Sequence, residues 1–367
     1  MAFEGSFQIF GMERSFFTRK TQAIFRVMGI DHEFRLKTAE ITPWLEARAG
    51  THLIPLVLTP EDWMLWDSTP IAFDMQRRFP DRSIIPITPV QRIACLLIED
   101  WVDEWLSRAA VHSRWMFAEN ALEASLSMGL NVSGLLQDGE PTQEQLTAAR
   151  SIGDYIQATF GARVCRGLGA LEGEADAIRW GFDHQLDLLA RIFESQPFLL
   201  GNRISLADAA LIGSFVSHFL GDSEPRSWVA RRQPKIIDWV ESSFDHVVSG
   251  EQWLDGDALS PLLDELFDEI QREFHPHLTA THEAMKNSEK SFEIDMDGRT
   301  VSFMVVPYRE ASRQFIRNEI LALGPEELAQ VEARLGVRGL LDVYRLEPVA
   351  NFHHQSPMGS RHPETIW

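Results

Sequence analysis

Pro55, in the stretch LIPLVLTPEDWMLWDSTPIAFDMQRRFP of residues 53–80, sets the tightest limit on what this chain can fold into. Residues 53–58 form an apolar run broken only by that proline, residues 59–62 carry turn chemistry, and residues 63–66 are apolar again, which predicts a short hairpin. Asp67 or Ser68 then caps a helix in which Ile71, Ala72 and Met75 recur at helical spacing, closed by Arg77, Arg78, Phe79 and Pro80. A proline at the head of a strand forfeits a backbone donor. A cis bond between Ile54 and Pro55 accounts for it, because it turns the preceding peptide groups outward, where a ligand's backbone can pair with them.

Upstream, residues 6–10 read as a strand, and residues 14–28 as a helix with Phe17, Ala23, Ile24 and Val27 on one face and Gly29 as its C-cap. A second strand over 32–36 and a short helix over 42–48, with Pro43 at its first position, complete a thioredoxin-like order. The spacer FPDRSIIPITP leads into long helices, so residues 1–80 are expected as one domain, 81–88 as a linker and 89–250 as an all-helical domain. Helices are predicted over 90–115, 143–165 and 174–194, with a loop over 126–142. In NRISLADAAL, Ser205 and Asp208 form a capping pair. Residues 251–367 are a C-terminal extension with a helical pattern over 261–285, a hairpin signalled by Asp297-Gly298, and helices from Arg309 and Pro325. Its end, NFHHQSPMGSRHPETIW, reads as polar and extended.

The formal charge of −20 argues against nucleic acid and anionic membrane as partners. Two cysteines, Cys95 and Cys165, give neither a disulfide framework nor a zinc site, which fits a reducing compartment. The first ten residues lack a basic leader, and no run of eighteen apolar residues occurs, so a soluble, cytoplasmic protein is expected. His275, His277, His353 and His354 read as solvated histidines rather than metal ligands.

IPLVL and WDSTPIAFDMQRRFP resemble the V-P-x-L strand and the E-S-x-x-I helix of the glutathione transferase family, and the Ser205/Asp208 pair is similar to its G-x-x-x-S-x-A-D motif. The resemblance implies an α/β thioredoxin-like domain followed by an all-α domain. It also implies glutathione as co-substrate, a small hydrophobic electrophile as second substrate, and a homodimer. SFFT stands where the family has S-P-F or C-P-F, which puts Ser15 at the thiol-activating position, with Phe16 replacing the proline and Thr18 as the alternative. A hydroxyl there can donate to a thiolate and lower its pKa; a serine before a helix is equally an ordinary cap. By the same resemblance, Asp67, in place of the commoner Glu, and Ser68 hold the γ-glutamyl end, and Ile54 before Pro55 faces the cysteinyl part. Asp67 and Ser68 also fit capping chemistry. The glycyl carboxylate is left to His52, Arg48 or Lys37. Trp101, Trp105, His112, Trp115 and Met116 are candidates for an aromatic cleft, although stripes of this kind are more often core. A glutathione-dependent lyase, etherase or dehalogenase, or a non-catalytic binding protein, uses the same fold.

Overall fold

The computed structural model describes residues 6–135, 140–296 and 298–350. Strand β1 (Phe7–Gly11), helix α1 (Phe16–Val27), strand β2 (His32–Leu36) and helix α2 (Thr42–Ala49) are followed by the hairpin β3 (Leu56–Leu58) and β4 (Met64–Trp66) and by helix α3 (Ser68–Arg78). The sheet order is β2-β1-β3-β4, with β2 parallel to β1 and the other pairs antiparallel. The thioredoxin-like order expected from the sequence is the order observed, and the Ile54–Pro55 bond is cis. Alternation sends Phe7, Ile9, Val57 and Leu65 to the main core, while Phe10, Leu56, Met64 and Trp66 form a second, smaller core with Leu45 and Ala49 of α2.

Helix α4 (Pro89–Trp101) continues through a π turn into α5 (Ser107–Trp115). Its first amides, at Val90 and Gln91, have no partners within the helix, and both donate to the carboxylate of Asp257, each at 2.8 Å. Helices α6 (Ala118–Val132), α7 (Gln143–Ile156), α8 (Ala162–Gly167), α9 (Ala175–Ser195) and α10 (Leu206–Ser214) complete the first part of the helical domain. Here one expectation is corrected: much of the loop expected over 126–142 is the second half of α6. Gly129 is not a loop signal. A Cβ there would lie 1.8 Å from the Ala149 carbonyl, and one on Gly153 would lie 2.1 Å from the Ser125 carbonyl, so the two glycines let α6 and α7 pack backbone to backbone.

Every residue of α10 is buried, and both halves of its capping box are made: Ser205 Oγ accepts from the Asp208 amide, and Asp208 accepts from the Ser205 amide at 2.8 Å. Asp208 also takes the Leu199 amide at 2.9 Å, which ties the helix start to the preceding turn. Gly213 of α10 faces the Lys20 backbone, where a Cβ would come within 2.5 Å, so α1 and α10 meet closely.

Helices α11 (Ser223–Arg232) and α12 (Pro234–Phe244) follow. The extension contributes α13 (Leu263–Glu269), α14 (His275–Lys286), the hairpin β5 (Ser291–Met296) and β6 (Arg299–Met304), and α15 (Pro307–Leu321), α16 (Pro325–Arg334) and α17 (Asp342–Arg345). The hairpin pairs in the register that a two-residue turn requires, while Asp297 itself lies outside the described residues. Helix α15 lies on α3 and α4, with Phe315 edge-on to Phe73 at 5.0 Å between centroids and Glu319 accepting from Arg92 Nε at 2.9 Å. Ile316, Ile320, Leu340, Leu341 and Tyr344 join the same core as α4, so the extension is built into the body.

Candidate functional site

Because β1 and β4 run one way and β3 the other, the C-terminal ends of β1 and β4 and the start of β3 share one sheet edge. Ser15, the Ile54–Pro55 turn and the Asp67–Ser68 pair are therefore gathered there, although they lie far apart in sequence. Helices α1 and α3 both begin at this edge, and their free amides give it positive potential.

Ser15 is half-buried and caps α1, its Oγ accepting from the Thr18 amide at 3.3 Å. Accepting that bond leaves its own hydrogen for donation. Thr18 is fully buried beneath Gly11, whose missing side chain makes room for it: a Cβ on Gly11 would lie 2.3 Å from Thr18 Oγ1. The Ser15 turn is held from behind. Arg14 pairs with Asp222 and with Glu123 (2.7 Å), and its carbonyl accepts from Arg114 at 2.6 Å, while Arg114, buried, also donates to Asp222 at 2.8 Å.

Asp67 has φ of 72°, a backbone conformation in which a non-glycine residue is strained. Its carboxylate accepts from the hydroxyl of Tyr308 at 2.6 Å. Burial pushes the carboxyl up to about 6, against the lowering effects of Tyr308, Lys20 and the Thr69 amide, with Glu99 adding to the rise. Ser68 is buried at the first turn of α3. Beneath the pair lies Lys20, fully buried, whose Nζ donates to Glu99, to Asp103 at 2.5 Å and to Thr69 Oγ1 at 3.2 Å. Thr69 in turn donates to Glu99. The neighbouring acids of the same helix stretch are answered by the extension: Asp100, raised to about 7 by burial, accepts from Ser312 and Tyr344, and Glu104 pairs with Arg309 at 3.2 Å.

Of the cations considered for a carboxylate at this edge, Lys37 is bound to Glu46 at 2.7 Å and to the His52 carbonyl at 2.8 Å, and Arg48 is bound to Asp62 at 2.7 Å. His52 is exposed. The aromatic candidates are placed in the core. Trp101 is fully buried, and Trp105 packs on Phe274, His277 and Phe303. Trp115 fills the space over Gly161, where a Cβ would meet its ring at 2.9 Å. His112 is buried against Phe117, and burial, with Arg108 and Arg179 near, pushes its imidazole down to about 4. Their apolar surface is taken up by the chain itself. Met116 is half-buried beside them.

The reading of His275 and His277 as solvated is corrected. Both are on α14 and buried, His277 completely, and desolvation lowers both pKa values. His353 and His354 lie outside the described residues. Sequence reasoning missed Lys20, Glu99, Asp103 and Tyr308. A signal was present for two of them: Glu99 and Asp103 stand one helical turn apart in LLIEDWVDEWL, where the residues other than these two, Asp100 and Glu104 are apolar.

No protein-family profile and no curated protein matches the chain. Solved structures do. A glutathione S-transferase from Rhodospirillum rubrum is 13% identical over 70% of this chain and 99% of its own, with a TM-score of 0.42. Beta-etherase LigF from Sphingobium sp. is 15% identical over 72% and 100%, also at 0.42. A glutathione S-transferase from Methylobacterium radiotolerans, in complex with glutathione sulfonate, is 16% identical over 68% and 99%, at 0.35. The fold assignment rests on this chain's own topology, a thioredoxin-like sheet followed by a helical domain with a capped central helix, which is the glutathione-transferase architecture.

Proposed function

We propose that this chain binds glutathione at the sheet edge and activates its thiol for attack on a small apolar electrophile, as a cytoplasmic glutathione transferase. The observation that carries the reading is the convergence of Ser15, Ile54, Pro55, Asp67 and Ser68 at one edge where two helices begin. Ser15 keeps a hydrogen for the thiolate, which favours the charged sulfur, and the α1 amides add to that preference. Ser68 with the α3 amides suits the γ-glutamyl carboxylate, Asp67 suits its ammonium, and the Ile54 backbone faces the cysteinyl part. Catalysis is then thiol activation together with positioning of the two reactants.

Ser15→Ala is expected to lower turnover by about ten- to hundredfold near neutral pH, the worth of one hydrogen bond to a charged group. The loss should shrink as pH rises and glutathione ionises unaided, whereas Asp67→Ala should weaken binding instead. A pH–rate profile with an aryl halide, beside calorimetric titration of glutathione, checks both. An unchanged profile in a folded, glutathione-binding Ser15→Ala protein would leave Ser15 as a cap alone.

A second reading, binding without conjugation or with lyase, etherase or dehalogenase chemistry, is favoured by one observation: Trp101, Trp105, His112 and Trp115 are all buried and do not offer a ready cleft for a second substrate. Glutathione binding without turnover of aryl halides, epoxides and aryl ethers would select a non-catalytic role. A homodimer is proposed with the first reading. The extension already covers α3 and α4 in the same chain, so the contact would use other faces. Sedimentation showing a monomer at micromolar concentration would refute it.

A further inference from the structure

We propose that the C-terminal extension supplies a positioning residue to this site: Tyr308, whose hydroxyl holds the Asp67 carboxylate for the ammonium of the γ-glutamyl group. The proposal rests on the glutathione reading above and adds to it a residue 241 positions away from its partner in the chain.

The geometry that fixes Tyr308 is independent of any ligand. Tyr308 is the second residue of α15, and the residues around it are anchored on the α4–α5 helix stretch and its neighbours. Arg309 pairs with Glu104 at 3.2 Å and donates to the Gly167 carbonyl at 3.1 Å, and Ser312 donates to Asp100 at 2.5 Å. Those anchors hold the helix against slipping along its axis, so the phenol is delivered to Asp67 by contacts that lie about one helical turn away or less. Asp67 is at the same time a short acid on a strained backbone, with fewer rotamers to search than a longer Glu would have.

The groups facing Asp67 come from four places: Lys20 of α1, Glu99 of α4, the Thr69 amide of α3 and Tyr308 of α15. Besides Asp67 itself, the acids that act on the phenol are Glu104 and Asp103. Burial and Glu99 favour the neutral form of Asp67, which offers an ammonium a hydrogen-bond acceptor but no opposite charge, while Lys20, the amide and the phenol favour the carboxylate. The sign follows. Without the hydroxyl, Asp67 binds its proton more tightly, and the pH below which the ammonium site is lost moves upward.

The test is Tyr308→Phe in the full chain, titrated calorimetrically with S-methylglutathione from about pH 5.5 to about pH 7.5, a range set around the carboxyl titration, so that no thiol ionises in the probe. A hydrogen bond to a charged group corresponds to about one to two pH units of carboxyl titration. The acidic limb of binding should therefore rise by about that much, with about five- to fiftyfold weaker binding near pH 6 and at most about fourfold near pH 7.5. Asp67→Asn should bind weakly and lose the limb altogether, and it reports on the proposal even if the phenylalanine variant fails to fold. A probe lacking the amino group should be insensitive to Tyr308→Phe. An unmoved limb in a folded Tyr308→Phe protein, a wild-type limb in Asp67→Asn, or tighter binding in Tyr308→Phe, which would make the hydroxyl a competitor of the ammonium, each overturns the proposal. Wild-type protein that binds no S-methylglutathione at any of these pH values overturns the glutathione reading itself, and the role of Tyr308 with it.

Discussion

Lys20→Met is expected to destabilise the protein by about 3–5 kcal/mol, the cost of breaking a buried charge pair by removing one partner. Methionine fills much the same space, so the loss isolates the charge. Lys20 is fully buried where α1 meets α10 at Gly213, and it is the cation placed between Glu99 and Asp103. Without it two carboxylates are left in a medium that solvates them poorly, and Asp103 is already pushed upward by burial. The pH dependence has a definite sign. In the wild type, desolvation lowers the Lys20 pKa but Asp103 and Glu99 outweigh it, so the value is raised on folding; its contribution is full below the unfolded value of about 10.4 and constant across neutral pH. In the variant the folded state must take up protons that the unfolded chain does not hold at neutral pH, so the deficit should widen from about pH 5 to about pH 8. Urea unfolding at the two pH values measures it, and adding Glu99→Gln and Asp103→Asn should recover part of the loss. A deficit under about 1 kcal/mol, or one indifferent to pH, would mean that water reaches the cluster. Because Thr69 belongs to the same network and follows Ser68, the glutathione binding proposed above should weaken along with stability.

How much of this was legible in the chain depends on how local each feature is. The β2 strand, the α10 capping box and the hairpin either side of Asp297-Gly298 are written in adjacent residues, and the structure has each where the pattern placed it. The second half of α6 was hidden because glycine usually punctuates loops, whereas Gly129 serves a helix crossing that only the position of α7 reveals. Helix α11 has a weak apolar pattern, SEPRSWVARR, and the Asp222 before it is occupied with Arg14 and Arg114 rather than with its own helix start. Lys20 sits in an amphipathic helix where a lysine ordinarily faces water, and nothing near it in sequence announces that its partners are on α4 and the turn after it. The site divides in the same way. Ser15, Pro55, Asp67 and Ser68 lie in short motifs, while Tyr308 enters by a fold-level contact that no motif carries.

Arg313→Met is the second large effect expected, about 3–5 kcal/mol by the same asymmetry between keeping and breaking a buried pair. Arg313 is fully buried on α15 and donates to both oxygens of Glu310, at 2.6 and 2.8 Å, and to the carbonyls of Val343 and Leu346, each at 3.0 Å. The guanidinium therefore joins α15 to the end of α17 through bonds in a fixed fork. Arg313→Lys keeps the charge but not the fork and should lie between the wild type and Met. Burial raises the Glu310 carboxyl, but Arg313 and Gln314 outweigh it and leave the pKa lowered, so this contribution is present above the unfolded value of about 4.3 and is lost as pH falls through the folded one. The difference between variant and wild type should thus narrow in acid, the same direction as the deficit at Lys20. Since Ile316, Ile320, Leu340 and Tyr344 share one core with α4, the extension should unfold with the body in a single transition. Thermal unfolding and limited proteolysis of the variant test this together: an extension clipped away from an intact body, or a loss under about 1 kcal/mol, would make it a separable appendage and detach Tyr308 from the stability of the site it faces.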